Sequence, residues 1–283
     1  MLVKLVATII LLATQAFATN VSAFYHYELG LDSTAYQQQF DELLQHGYRL
    51  SYVSAYNDEH NQTLFSGVWK KTSTSVPWIA RHGLTGPQYD TLSDQLRGQN
   101  YHPVVLNAYN LPTGEPRFAT IWEKASVGTW QQQRDMTEAQ LKAKVSALDQ
   151  LRITTLTRYV VGNQVRFAAT WETRTAKDWH GDWFYSLGKT GFDTSPAWDG
   201  YKAISVNVHA VDGDPIFDVV WQRVSSGGWD APVTTYQISG VDQDMYRKSF
   251  KGYVETGFGP RALAGYYVEG CGVQYAATFE KDS

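Results

Sequence analysis

One cysteine in 283 residues, Cys271, excludes two routes to a stable fold without a large core. It can close no disulfide within the chain, and it cannot build a four-thiolate zinc site. Charge is also sparse. Asp, Glu, Lys and Arg make up 18% of the chain, the formal net charge is −4, and no block of lysine or arginine occurs. A phosphate-backbone binder needs a basic stripe, so nucleic acid is not an expected partner. Beyond the first eighteen residues there is no apolar run near the roughly 20 residues that cross a bilayer. What the chain does contain is hydrophobic residues, 43%, and aromatic rings, 14%, with 10 tryptophans and 18 tyrosines. That composition excludes a disordered tail and requires a packed core, with rings to spare for interfaces or sugar-stacking platforms. No cofactor motif is present, and no cofactor is expected.

Residues 1–18 read as a secretory signal. Lys4 supplies the charged start, Leu5 to Ala13 the apolar run, and Ala16-Phe17-Ala18 the small residues before a cut. The expectation is therefore an exported, extracellular protein with no membrane span after signal removal, and a single repeat-array domain over residues 19–283. Two Asn-x-Ser/Thr glycosylation acceptors fit that address: Asn20 at the new terminus and Asn61 in a polar stretch where a hairpin turn belongs.

An aromatic pair spaced four apart recurs about every 50 residues, the mark of a tandem repeat. The pairs are Phe65/Trp69, Phe118/Trp122, Phe167/Trp171, Phe217/Trp221 and Tyr275/Phe279. Their expected role is structural, as the repeat anchors that glue the helix layer to the sheet. A further ring, Tyr56, Tyr109, Tyr159, His209 or Tyr267, precedes each pair, and Trp78, Trp130, Trp179 and Trp229 open the units that follow. Approximate repeats are 19–72, 73–125, 126–174, 175–224 and 225–283. Within a copy the apolar period is first helical, as in Tyr36, Phe40, Leu43 and Leu44 after Asp32, and then alternates, as in Tyr48, Leu50, Tyr52, Ser54 and Tyr56. The unit is therefore β-α-β-β and the class α+β. The expected assembly is a curved, mostly antiparallel, half-barrel-like sheet with helices on one face. In the fourth copy a short helix or a loop fits equally, and Gly265 to Gly272 reads as an extended hairpin carrying Cys271.

The strings Tyr36-Gln37, Phe40-Asp41, Gly47-Tyr48-Arg49, Arg117-Phe118-Ala119 to Trp122-Glu123, and Arg166-Phe167-Ala168 to Trp171-Glu172 carry a resemblance. They are similar to the tandem repeat of the N-terminal half of fungal polyglycine hydrolases and of bacterial tandem-repeat proteins. The resemblance covers essentially all of residues 19–283. It implies a spirally curved antiparallel array that accompanies a β-lactamase-like serine hydrolase domain and is associated with dimerisation and target engagement. Those enzymes cut glycine-rich linkers of plant defence chitinases. The sequence ends after the fifth copy, so their catalytic residues have no counterparts among these positions.

Several side chains remain as chemical candidates. Ser186 and Lys189 fit Ser-x-x-Lys, a pattern that needs its serine at a helix start. Asp178, His180 and Asp182 alternate, which would place all three on one strand face as a metal or acid–base group or as a solvated edge. Trp183, Tyr185 and Trp198, with Trp130, are candidate binding platforms. His82 reads as an edge histidine. Arg49, His102, Arg152 and Lys202 form a basic stripe, either for an acidic partner or held by neighbouring acids. Cys271 is free or links two copies of the chain. The expected function is non-catalytic binding of an extracellular protein target, with homodimerisation. A carbohydrate-binding module and a cryptic serine hydrolase are the alternatives.

Overall fold

In the computed structural model, which describes residues 24–71, 76–147, 150–173, 183–194, 201–211, 213–223 and 235–281, each repeat runs strand, helix, strand, strand. The first unit holds β1 (Tyr25–Leu31), α1 (Ser33–Gln45), β2 (Tyr48–Asn57) and β3 (Thr63–Lys71), the second β4 (Trp78–Leu84), α2 (Gly86–Arg97), β5 (Tyr101–Asn110) and β6 (Pro116–Lys124). The third holds β7 (Trp130–Met136), α3 (Glu138–Ala147), β8 (Leu151–Val161) and β9 (Gln164–Thr173). The fourth holds β10 (Trp183–Gly188), α4 (Lys189–Thr194), β11 (Tyr201–Val211) and β12 (Asp214–Arg223). The fifth holds β13 (Thr235–Val241), α5 (Gln243–Glu255), β14 (Phe258–Val268) and β15 (Gly272–Lys281).

Side-chain caps start the helices. Asp32 accepts from the N–H groups of Thr34 and Ala35 at 2.8 and 2.9 Å, Thr85 and Gln88 form a reciprocal capping box, and Asp242 accepts from Met245. Left-handed residues turn the chain into the next strand: Gly47 has φ +78°, Asn100 +62° and Gly257 +86°. The fourth copy does have a helix, only six residues long. Gly265 lies inside β14 and not in a turn, so the fifth hairpin is tighter than expected: its turn is confined to residues 269–271.

Among the described residues the strands form five separate three-stranded antiparallel sheets, each with the unit's last strand in the middle: β1-β3-β2, β4-β6-β5, β7-β9-β8, β10-β12-β11 and β13-β15-β14. This corrects the expected single half-barrel sheet, since no backbone ladder joins one unit to the next. Instead β2, β5, β8, β11 and β14 lie side by side, and β14 packs back against β2. The units close a ring in the manner of propeller blades.

Rings make the joints. Phe65 meets Tyr109 of the following unit edge-on at 5.6 Å, Phe118 meets Tyr159 at 5.3 Å, and Phe217 meets Tyr266 at 5.8 Å. Tyr275 meets Tyr56 at 6.2 Å and so joins the fifth unit to the first. Tyr27 of β1 also packs on Tyr246 and Phe250 of α5, with centroids 5.1 and 4.4 Å apart. The pairing of Gly265 with Tyr275 and of Tyr266 with Gln274 makes Tyr266, not Tyr267, the equivalent of Tyr56.

All ten members of the repeated aromatic pairs are buried. The first member takes the helix ring on its face: Tyr36 on Phe65 at 5.1 Å, Tyr89 on Phe118 at 5.2 Å, Phe192 on Phe217 at 4.6 Å. The second members, Trp69, Trp122, Trp171, Trp221 and Phe279, hold one position in the middle strand of each sheet. Trp221 lies between Trp183 of β10 and Ala203 of β11, and Phe279 between Tyr236 of β13 and Pro260 of β14. Phe279 departs from the tryptophans in its helix contact. Trp69 and Trp122 meet the first-turn rings Tyr36 and Tyr89 at 6.0 and 6.1 Å, whereas Phe279 meets Tyr253, near the end of α5, at 4.6 Å. A six-membered ring is smaller than an indole, and Tyr253 with Phe258 and Tyr236 fills the space beside it.

An inner edge strand leaves N–H and C=O groups without a ladder, and each must find another partner. Ser54, Asn107, Thr157 and Asn207 hold one equivalent position and supply it. Ala55 N–H donates to Asn107 Oδ1 at 2.9 Å, Ala108 N–H to Thr157 Oγ1 at 3.0 Å, and Asn207 Nδ2 donates to the Leu156 carbonyl at 2.6 Å. Gly265 N–H donates to Ser54 Oγ at 3.2 Å and completes the circuit. The fifth unit carries Ala264 at this position, while Tyr52 reaches across the ring to the N–H and C=O of Val206 at 2.9 and 2.8 Å.

Candidate functional site

Equivalent residues meet equivalent residues around the ring, so the inner strands run parallel to one another and the five β-hairpin turns share one face. The basic stripe lies toward the other end of these strands. Its members are held by acids: Arg49 pairs with Glu123 of the next unit, His102 lies 4.0 Å from Glu172, and Lys202 lies 3.3 Å from Glu280. Arg152 bonds Glu172 of its own unit at 3.0 Å. Arg49 and His102 are buried, and Arg49 also stands 5.5 Å over the Trp78 ring. Arg49, His102 and Lys202 thus link one unit to the next, while Arg152 stays within its own.

The hairpin face is built differently. On the ring axis lies a cup of about 290 Å³, lined by Tyr56, Asp58, Tyr109, His209, Tyr266 and Tyr267 among others, from four of the units. In four units the first strand bulges at a left-handed residue: Gly30, Gly83, Asp135 and Gly240 have φ of +65°, +71°, +59° and +62°. The bulge turns a backbone group away from the ladder and toward the unit's tyrosine hydroxyl. Asp135 N–H donates to Tyr159 Oη at 2.7 Å and Gly240 N–H to Tyr266 Oη at 2.9 Å, while Gly30 N–H donates to Ser66 Oγ at 3.1 Å, itself 3.2 Å from Tyr56 Oη.

The fourth unit departs from this rule twice. β10 pairs with β12 without a bulge, and the ring position holds His209. The backbone of Arg158 lies beside the imidazole, and the ring's Nε2 is buried without a hydrogen-bond partner. Burial pushes its pKa from 6.5 down to about 4. Beside it, the Arg158 guanidinium makes two bonds of 2.6 Å to the fully buried carboxylate of Asp218, across the seam between the third and fourth units.

A pH dependence follows. The unfolded chain takes up a proton at this histidine as pH falls below 6.5, whereas the fold resists it down to about 4, so this group lowers stability through that window. The urea midpoint of the native protein is expected to fall between pH 7 and pH 4.5, and to fall less in His209→Phe. Equal losses in both proteins would place the titrating group elsewhere.

Next to the cup, a shallower groove of about 630 Å³ runs along the hairpins of the first three units, past Leu111, Pro112, Pro116, Val160 and Val161. Val160, Val161 and Val165 are 42, 38 and 42% exposed. Asn110 clips the third unit to the second, donating to the Val160 carbonyl at 2.7 Å and accepting from its N–H at 2.9 Å. Asn61 sits on an exposed turn at φ +57°. The turns carry Asp58, Glu59, Glu115, Asp214 and Glu269, while Arg117 on this face is bonded to Glu115. The sequence showed these stretches as polar turns between the two strands of a hairpin, without giving them a binding role.

The sequence candidates fall elsewhere. Trp183, Tyr185 and Ser186 lie on β10, the outer strand of the fourth sheet, with Trp183 in register with Trp221. Ser186 is therefore on a strand and not at a helix start, and the Lys189 ammonium pairs with Asp193. Asp178, His180, Asp182, Trp198 and Asn20 lie outside the described residues. Trp130 is not a platform: it is buried, with the Arg97 guanidinium 4.0 Å over its ring. Trp221 and Phe279, like Trp69, Trp122 and Trp171, are buried in the core and line neither the cup nor the groove. His82 packs edge-on to Tyr36 and Phe65 at 5.2 and 5.1 Å, and burial lowers its pKa. Cys271 is exposed in the last hairpin turn. Among the described residues no three His, Cys, Asp or Glu side chains gather to hold a metal, and no helix is long and apolar enough to cross a membrane.

A family model described as polyglycine hydrolase-like, structural repeat, matches five times, over residues 25–72, 75–125, 127–174, 197–224 and 234–282. The fourth match is the shortest and starts after α4, in the unit that lacks the bulge and has the shortest helix. No curated protein matches the chain. With five matched copies that together span most of its length, the chain belongs to the polyglycine hydrolase-like structural-repeat family.

Proposed function

We propose that this is an exported, non-catalytic binding protein that engages a protein target through the hairpin face of its ring. The observation that carries the reading is the contrast between the two ends of the inner strands. Toward one end the bases are held by acids of the same or the next unit, while the other presents acidic turns, exposed valines, a groove and an axial cup. Aliphatic side chains beside turn charges are what a partner surface uses for burial and orientation. Asn61 is the proposed glycan site on this face in a eukaryotic host.

Native mass spectrometry of the secreted protein mixed with a chitinase that carries a glycine-rich interdomain linker tests the reading. The expected spectrum shows intact chitinase in a complex, and Val160→Asp/Val161→Asp abolishes that complex. A cleaved linker contradicts the non-catalytic reading, and an intact chitinase without a complex removes that target. The same spectra report any homodimer.

A further inference from the structure

We infer that the axial cup receives one cationic side chain, a lysine or arginine, from the protein partner; the inference rests on the hairpin face being the binding surface. Three observations converge on that chemistry. Asp58 and a set of tyrosine rings line the cup, and no lysine or arginine does. The Asp58 carboxylate uses Oδ1 to hold its own turn, accepting from the N–H groups of His60 and Gln62 at 3.0 and 2.7 Å. His209 also lines the cup, and its Nε2 is buried with no donor, whereas the tyrosine hydroxyls at the same position of the first, third and fifth units are bonded. Burial keeps this imidazole neutral, and a neutral ring that carries its proton on Nδ1 offers a lone pair at Nε2.

The cup therefore presents acceptors, a carboxylate and electron-rich ring faces, and lacks cationic side chains. An ammonium or guanidinium group matches it as a multiple donor and as a cation over aromatic rings. An anion does not. The first, fourth and fifth turns around the cup add Glu59, Asp214 and Glu269, all exposed, while Glu115 of the second is paired with Arg117. Such a face draws a basic surface toward it and slows an acidic one. At about 290 Å³ the cup falls below the range of drug-sized ligand pockets and suits a single side chain.

The test uses the intact secreted protein with 13C-labelled histidine rings, the His209 signal being identified by its loss in His209→Phe. The probe is Nα-acetyl-lysine methylamide, with Nα-acetyl-glutamate methylamide as the charge-reversed control. The expected result is a saturable shift of the His209 ring signal with the lysine probe and none with the glutamate probe. Asp58→Asn keeps the turn-capping oxygen and removes the charge, and it is expected to weaken the lysine probe about fivefold. Absence of a saturable shift, an equal response to the glutamate probe, or unchanged affinity in Asp58→Asn overturns the inference. The two readings separate cleanly. A protein complex indifferent to Asp58→Asn keeps the binding face and rejects the cup, whereas probe binding without any protein complex supports the cup and removes the assigned target.

Discussion

Gly265→Ala lowers the folding stability by about 2–3 kcal/mol, although the change adds a single methyl group. A Cβ at Gly265 would fall within the ring of Tyr56, which belongs to the opposite end of the chain. That ring has little room to yield. Its hydroxyl lies 3.2 Å from both Tyr275 Oη and Ser66 Oγ, and the residue is buried. The Gly265 N–H is itself one of the bonds that closes the ring, to Ser54. Urea denaturation measures the loss, and a double-mutant cycle localises it: in a Tyr56→Ala background the added methyl fills a vacated space and costs close to nothing. A Gly265→Ala protein as stable as the parent would mean that the first and fifth units do not touch here.

Asp218→Ala is expected to cost about 3–5 kcal/mol, the penalty for leaving a buried guanidinium without its counter-ion. Asp218 is fully buried on β12, and Arg158 reaches it from β8 with two 2.6 Å bonds. The loss reflects the stranded charge more than the worth of the pair. Arg158→Ala/Asp218→Ala is therefore expected to recover most of the stability lost in Asp218→Ala alone. Denaturant midpoints of the single and double variants provide the check, and additive losses would contradict a direct pair.

Much of the unit was legible in the sequence, because the period of its apolar residues changes from helical to alternating at a left-handed residue. Phe65 and Trp69 and their counterparts announced the core for the same reason: a ring that returns at one phase of each unit faces the same neighbours each time. Even Phe279, which replaces the indole, keeps the place in the sheet and changes only the helix ring it meets. Closure was not legible. The contacts that make it, Ser54 with Gly265 and Tyr56 with Tyr275, join residues more than two hundred positions apart, and repeat periodicity fixes that units stack without fixing how far each turns from the last. The choice of Tyr267 over Tyr266 failed because two adjacent tyrosines both satisfy the spacing, and only the register with β15 separates them. The hairpin face was missed for a related reason. Turn residues such as Asp58, Glu115 and Glu269 share no single residue type, and what unites them is a place on the ring.

Closure also carries the functional account, since the cup draws Tyr56 and Asp58 from the first unit and Tyr266 and Tyr267 from the fifth. Cys271, the one cysteine of the chain, stands exposed in the last hairpin turn and offers a direct test. With a nitroxide label on Cys271, paramagnetic broadening of backbone amide signals reports which hairpins lie nearby. The closed ring predicts strong broadening in the first unit's turn, from Asp58 to Gln62, and weaker effects in the second and third units. An unbroadened first turn, with broadening confined to the fourth and fifth units, would show an open array and remove the cup.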